Sequence, residues 1–81
     1  MNEDKILEKL EGIFRNFFED DDLRLRIETT SEDLPEWDSV VHIQLVYEIE
    51  EAFGVQFDAE DIMKMNEVRF IADRLCALAA R

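Results

Sequence analysis

The sequence predicts an all-α fold: a small four-helix bundle with a short third helix and a long loop after the first helix. Apolar residues recur at helical spacings of three and four in several segments of the chain. Strand-like alternation occurs in one short stretch that has no second strand to pair with, and 81 residues are enough for one core. We therefore predict a single domain over residues 1–81 without internal repeats.

The first helix is predicted over residues 3–18, because one apolar stripe runs along that segment. Its members are Ile6, Leu7, Leu10, Ile13, Phe14, Phe17 and Phe18. Residues 19–37 are predicted to form a long ordered loop, which in a domain of this size is usually functional. Three alternating apolar side chains are expected to pin it to the core, namely Leu23, Leu25 and Ile27. The segment Ser31–Leu34 is expected to form one helical turn that Pro35 ends.

The second helix is predicted from about Ser39 to Phe53, with either Asp38 or Ser39 as its N-cap and Gly54 as its C-terminal stop. Its core-facing stripe is predicted to contain Ile43, Leu45, Val46, Ile49 and Phe53. Another face carries polar residues, namely Gln44, Glu48 and Glu51. The helix is therefore predicted to be amphipathic.

Two further helices complete the predicted bundle. Asp58 is expected to cap a short helix that runs through Met63, with Ile62 and Met65 directed toward the core. The last helix is predicted to begin at Asn66–Glu67. Its apolar stripe consists of Val68, Ile71, Leu75 and Leu78.

The chain is strongly acidic. Twenty-one Asp and Glu residues against nine Lys and Arg residues give a formal net charge of -12, which repels nucleic acids and anionic membranes and attracts basic proteins. Residues 27–63 contain eleven acids and no Lys or Arg. These acids either keep exposed helix faces in solution or form a docking field for basic partners, in which binding is weak and salt-sensitive.

The N-terminal residues 1–5 are acidic rather than basic, and no apolar run approaches 18 residues. Neither a signal peptide nor a membrane span is therefore expected. The single cysteine, Cys76, has no partner for an internal disulfide and is predicted to be a buried or half-buried thiol in the last helix. A monomer in the reducing cytoplasm is the expected state.

Asp38 and Ser39 lie at the predicted start of the second helix, and the residues that would make Ser39 a catalytic nucleophile do not accompany them. A Ser–His dyad with His42 can be drawn, but neither a second histidine nor a Gly-x-Ser-x-Gly turn accompanies it. We predict no catalytic residue, an exposed His42, and a Trp37 ring that packs the loop onto the bundle.

The Asp20–Asp22 run lacks the glycine of a calcium loop, so no metal site is predicted.

Several features in order along the chain resemble those of the acyl carrier protein family. They are Asp38-Ser39-Val40, a helix closing on Glu50-Glu51-Ala52-Phe53-Gly54-Val55, and the later Met65-Asn66-Glu67-Val68. The similarity extends from the first helix to Leu75. The chain departs from the family in having Val40 where leucine is usual, and Pro35-Glu36-Trp37 where glycine is usual.

The resemblance implies a freestanding carrier rather than an enzyme. It implies that Ser39 receives a 4'-phosphopantetheine arm from coenzyme A, and that the thiol of this arm holds acyl groups as thioesters. Asp38 matches the acidic residue that helps to orient the transferase and its magnesium ion. Unoccupied N–H groups and the dipole at the helix start are expected to suit the phosphodiester, and Val40 and Val41 to give the arm an apolar footing.

The partners implied are a phosphopantetheinyl transferase and enzymes that load or transfer acyl groups through basic docking patches. The acidic face of the second helix predicts docking at Gln44, Glu48 and Glu51. Two alternatives stay open. One is an aminoacyl or peptidyl carrier, whose serine commonly follows Gly-Gly, and the other is an acidic helical interaction module without a prosthetic group, in which Ser39 is only a helix cap.

Added salt or divalent cations are expected to raise the melting temperature of the protein. The excess negative charge repels itself in the folded chain, and counter-ions screen this repulsion. Calorimetric scans in parallel sodium chloride and magnesium chloride series measure the effect. A melting temperature that stays constant or falls in both series would contradict this electrostatic account.

Overall fold

The computed structural model describes residues 2–79, which form four α-helices. The helices are α1 (Glu3–Phe18), α2 (Ser39–Phe53), α3 (Ala59–Lys64) and α4 (Val68–Ala79), with a 3-10 turn at Ser31–Asp33. Over the described range no strand forms, and Thr30 and Glu67 make an isolated antiparallel bridge. The predicted all-α class, the order of the helices and the short third helix are confirmed. Residues 1, 80 and 81 of the predicted domain lie outside the described range.

The first three helices begin where a side chain accepts hydrogen bonds from their first backbone amides. Asn2 Oδ1 accepts from the Lys5 N–H at 2.9 Å, and Asp58 Oδ1 accepts from the Asp61 N–H at 2.8 Å. Asp38 caps α2 in the same way. Each such cap stabilises its helix by about 0.5–2 kcal/mol relative to alanine.

Two helices end in a residue with left-handed backbone geometry. Gly54 ends α2 with φ 66°, as predicted, and its N–H donates to the Glu50 carbonyl. Glu19 ends α1 with φ 52°, a conformation that costs a residue with a Cβ about 1–2 kcal/mol. The cost is offset because the Asp20 N–H then donates to the Arg15 carbonyl at 2.9 Å, satisfying one of the last carbonyls of the helix.

The core is centred on α1, which contacts both α2 and α4. Ile6, Leu10 and Phe14 lie on successive turns of α1 and are fully buried. Their fully buried partners on or beside the other helices are Leu45, Ile49, Met65, Val68, Ile71 and Ala72. A large apolar side chain buried in this way stabilises the fold by about 1.5–3 kcal/mol. The predicted stripes of α1 and α4 are therefore confirmed.

The prediction that Ile43 belongs to the buried stripe of α2 is wrong, because 59% of this residue is exposed. At about 3.6 residues per turn, Ile43 lies roughly 120° around the helix from Ile49, which is fully buried. Leu45 and Val46 complete the buried side of α2. The stripe predicted from sequence spacing was therefore wider than the buried face of α2.

The loop between α1 and α2 is ordered by side chains of α1. Arg15 Nε donates to the Leu23 carbonyl at 2.8 Å, and Glu11 Oε2 accepts from the Leu25 N–H at 2.9 Å. Leu23 and Leu25 are both buried against the core, as predicted, and Ile27 is half-buried. Polar and apolar anchors therefore hold the same stretch of loop.

The end of this loop is joined to the start of α4 by backbone hydrogen bonds. The Ser31 N–H donates to the Asn66 carbonyl at 2.8 Å, and the Val68 N–H donates to the Thr29 carbonyl at 2.9 Å. Thr30 caps the 3-10 turn that follows. These contacts bring Ser31 and Asn66 to the end of the bundle where α2 begins.

Candidate functional site

The start of α2 is built around the Asp38 carboxylate. Its Oδ1 accepts from the Val40 N–H at 3.0 Å and from the Val41 N–H at 2.9 Å, and the Asp38 carbonyl accepts from the His42 N–H at 2.9 Å. Of the two caps that the sequence leaves open, Asp38 is the one observed. Ser39 is the first residue of the helix, and its exposed side chain takes no part in the cap.

The expectation that the first N–H groups of α2 are unoccupied is wrong for Val40 and Val41. The N–H groups of Val40 and Val41 are not open to a phosphodiester, because the Asp38 carboxylate already accepts from both. The helix dipole still favours an anion here, but the Asp38 charge opposes a second one. A group attached to Ser39 is therefore expected to make its contacts in the neighbouring pocket rather than on these amides.

An open pocket of about 270 Å³ lies beside Ser39. The long loop, the start of α2, α3 and Asn66, two residues before α4, all contribute to its walls. Its lining consists of Ser31, Trp37, Asp38, Ser39, His42, Met63 and Asn66. Met63 is 82% exposed. The pocket therefore combines the apolar Met63 side chain and the Trp37 indole with the polar groups of the other lining residues.

Trp37 lies buried at the end of the bundle where α2 begins. It is 4% exposed, and its ring meets the Phe14 ring edge-on with the centroids 5.2 Å apart. Edge-to-face aromatic pairs of this kind contribute about 0.5–1.5 kcal/mol beyond the area that they bury. The prediction that Trp37 packs the loop onto the bundle is confirmed.

His42 lies half-buried in the pocket wall, so the prediction that it is an exposed surface side chain is wrong. The Trp37 indole N–H donates to Nδ1 at 3.0 Å, and Nε2 lies 2.7 Å from the Ile62 carbonyl oxygen. Because a carbonyl oxygen only accepts, Nε2 carries the proton and Nδ1 does not. With both nitrogens engaged, His42 is not placed to act as a base toward the Ser39 hydroxyl.

The outer face of α2 is both apolar and acidic. Val40, Ile43 and Tyr47 follow one another at spacings of three and four and are 73%, 59% and 59% exposed. The predicted docking residues on this face are exposed as well, namely Gln44, Glu48 and Glu51, whereas Val41 is half-buried at its edge. Sequence reasoning placed Ile43 in the core and did not single out Tyr47. The signal was present, since these three apolar positions form a second stripe opposite the buried one.

The negative charge of this face affects the pKa of Tyr47. Hydrogen bonding to the Glu51 side chain and the negative charge of that carboxylate raise the pKa of the Tyr47 phenol above its usual value, and Glu48 and Glu50 add smaller effects of the same sign. The acids on consecutive turns of α2 therefore form one continuous negative field around an exposed aromatic ring.

Two kinds of feature are absent from residues 2–79. No group of three or more His, Cys, Asp or Glu side chains is arranged to hold a metal ion. None of the helices in this range is long and apolar enough to cross a membrane.

Comparison of the chain with models of known protein families, with curated proteins and with solved structures gave no match. The resemblance to acyl carrier proteins therefore depends on the residues named above and on their positions in the fold.

Replacing Asp38 by alanine is expected to lower the free energy of unfolding by about 1 kcal/mol, because two backbone amides at the start of α2 lose their acceptor. Asp38→Asn keeps an oxygen acceptor and is expected to retain most of the stability. Urea denaturation followed by circular dichroism measures both variants, with Glu36→Ala, another exposed acid of this loop, as the matched control. A loss in Asp38→Ala that is no larger than the change in Glu36→Ala would contradict the capping role of Asp38.

Proposed function

We propose that this chain is an acyl carrier protein, in which Ser39 bears a 4'-phosphopantetheine arm that holds acyl intermediates as thioesters. The observation that carries the proposal is the position of Ser39. Its exposed side chain opens α2 directly after a capping aspartate, above a pocket and beside an apolar and acidic helix face. This arrangement agrees with the order of sequence features that resembles the family.

The surroundings of Ser39 suit a hydroxyl that another protein modifies. Its side chain is not needed for the cap, because Asp38 supplies that acceptor, and the imidazole of His42 is engaged elsewhere. A serine hydroxyl is a weak nucleophile without a positioned base. The activating groups must therefore come from the modifying enzyme, for which the exposed start of α2 is accessible.

The pocket beside Ser39 fits the chemistry of such an arm. A pantetheine chain contains amide groups and apolar carbons, and Ser31 and Asn66 offer polar groups while Trp37 and Met63 offer apolar surface. When bound, the arm would supply a thiol that forms and exchanges thioesters. The residues of the pocket would hold the chain of the arm, and Asp38 would keep the start of α2 rigid.

The outer face of α2 supports the proposal that partner enzymes dock there. An exposed apolar stripe provides contact area, and the surrounding acids attract basic patches and speed encounter. Binding that is largely electrostatic is weakened by salt and released quickly. A carrier that visits several enzymes in turn requires such release.

A second candidate is an acidic helical interaction module without a prosthetic group. The exposed stripe of Val40, Ile43 and Tyr47 favours it, since this face would bind a partner whether or not Ser39 is modified. Ser39 as a mere helix cap does not agree with the structure, because Asp38 performs the capping. An aminoacyl or peptidyl carrier shares the arm with the leading proposal and differs in its cargo.

Incubation with coenzyme A, magnesium and a broad-range phosphopantetheinyl transferase is expected to add one phosphopantetheine to the chain. Intact-mass spectrometry measures the gain, and Ser39→Ala is expected to abolish it. Ser31→Ala is the matched control, since it removes another hydroxyl from the same pocket. No gain in the wild-type chain, or a gain that persists in Ser39→Ala, would refute the carrier proposal. Loading the modified chain with acyl or aminoacyl groups then separates the two kinds of carrier.

Charge reversal at Glu48 or Glu51 is expected to lower the kcat/KM of modification about tenfold at low salt, which corresponds to about 1.4 kcal/mol. The lysine would repel the basic patch of the transferase, and added salt should reduce the difference. Initial rates with Glu48→Lys and Glu51→Lys measure this. Glu8→Lys on α1 introduces the same charge change away from the docking face. Equal rates for all three variants at low salt would remove the electrostatic basis for docking on α2.

A further inference from the structure

The attachment of α3 to the bundle is unusually polar. In contrast to α1, α2 and α4, this six-residue helix contributes no fully buried side chain, and Ile62 packs on the core only in part. Asp61 pairs with Arg74 of α4 at 3.1 Å, and the Ile62 carbonyl contacts His42 of α2. Met65, directly after the helix, is fully buried and fixes its end. The position of α3 therefore depends largely on these two polar contacts, whereas the other helices are held by buried apolar side chains.

The contact at His42 links three segments of the chain. The Trp37 indole N–H donates to Nδ1 of His42 at 3.0 Å, and Nε2 donates to the Ile62 carbonyl at 2.7 Å. We call this chain of Trp37, His42 and Ile62 the latch. The Trp37 and His42 rings are nearly coplanar, with their centroids 6.0 Å apart and their planes inclined by 22°. Trp37, His42 and Met63, the neighbour of Ile62, also line the pocket beside Ser39.

We propose that His42 is a positioning residue for the pocket beside Ser39, and that protonation of its imidazole opens the latch. The protonated ring carries an N–H on both nitrogens, so Nδ1 would face the indole N–H as donor against donor. The bond to Trp37 is then lost, whereas the bond from Nε2 to the Ile62 carbonyl persists and gains the assistance of the charge. The role of this pocket as the seat of an arm rests on the proposed function, but the latch itself does not.

The direction of the movement follows from the unequal anchoring of the two sides. Trp37 is buried against Phe14, so it is held by the core. α3 is held less firmly and stays joined to His42 through the Ile62 carbonyl. α2 itself is fixed by its buried Leu45 and Val46. Repulsion between the two N–H groups is therefore relieved when the His42 side chain turns away from Trp37 and α3 follows it, which widens the pocket next to Ser39.

The charged groups around the latch come from the loop before α2, from α3 and from α4. Asp38 lines the same pocket as His42. Asp61 on α3 is paired with Arg74 on α4, and the neighbour from α1 is the uncharged Phe14. Histidine is the side chain whose ordinary pKa, about 6.5, lies between pH 5 and pH 8. The neutral ring closes the latch and the protonated ring opens it, so the open state gains population when the ring takes up a proton.

Nuclear magnetic resonance of the unmodified chain between about pH 8 and about pH 5 tests the proposal, since this range spans the ionisation of histidine. As the His42 ring signals titrate, the Trp37 indole N–H signal is expected to shift with the same midpoint. Hydrogen exchange at the α3 amides, corrected for the intrinsic pH dependence of exchange, is expected to accelerate about three- to tenfold. The reason is that α3 loses its link through His42 to the core-bound Trp37, and this link is one typical hydrogen bond. Exchange at Leu10 and Phe14 in α1 is expected to stay unchanged and serves as the internal control.

Two variants sharpen the test. His42→Phe keeps an aromatic ring but has neither nitrogen, so α3 exchange is expected to be fast at all pH values. Arg74→Met removes the other polar contact of α3, so its exchange is expected to be faster overall and to keep its pH dependence. The proposal is overturned if α3 exchange and the indole signal do not change while His42 titrates, if His42 stays neutral down to about pH 5, or if His42→Phe keeps the wild-type pH dependence. Because no prosthetic group is involved, a failure here is distinct from a failure of the mass experiment.

Discussion

The contact between Phe14 and Trp37 joins the hydrophobic core to the candidate site, and the geometry around Ser39 depends on it. Phe14 is fully buried on α1, and Trp37 closes the long loop one residue before the cap of α2. With the indole fixed by this contact, its N–H is directed to His42 and the entry of the chain into α2 is set. A loop of this length would otherwise leave the position of Asp38 and Ser39 poorly determined.

The acids of this chain have two physical roles that composition cannot separate. Glu11 accepts from the Leu25 N–H, Glu50 accepts from the Phe57 N–H at 2.8 Å, and Asp38 and Asp58 cap helices. These carboxylates satisfy backbone groups that would otherwise be left unpaired where chain segments meet. Glu48 and Glu51 instead lie on the exposed face of α2. The excess charge is therefore partly structural, and the part proposed for docking is concentrated on one helix.

α2 is apolar on two sides, and the two sides have different consequences. Leu45 and Ile49 pack into the core, whereas Val40, Ile43 and Tyr47 face outward among acids. Keeping an apolar stripe exposed offers no folding advantage, and such patches on small domains commonly mark interaction sites. This is why α2 bears most of the functional proposal and also contributes to the core.

The sequence by itself determined the helical class, the order of the helices and the bounds of the first two, because periodicity and capping are local properties of the chain. Only the tertiary structure decided which apolar face of α2 is buried, since Ile43 and Ile49 differ in what packs against them. It also decided the surroundings of His42. The partners of that ring come from the preceding loop and from a residue twenty positions later, and no spacing rule brings them together.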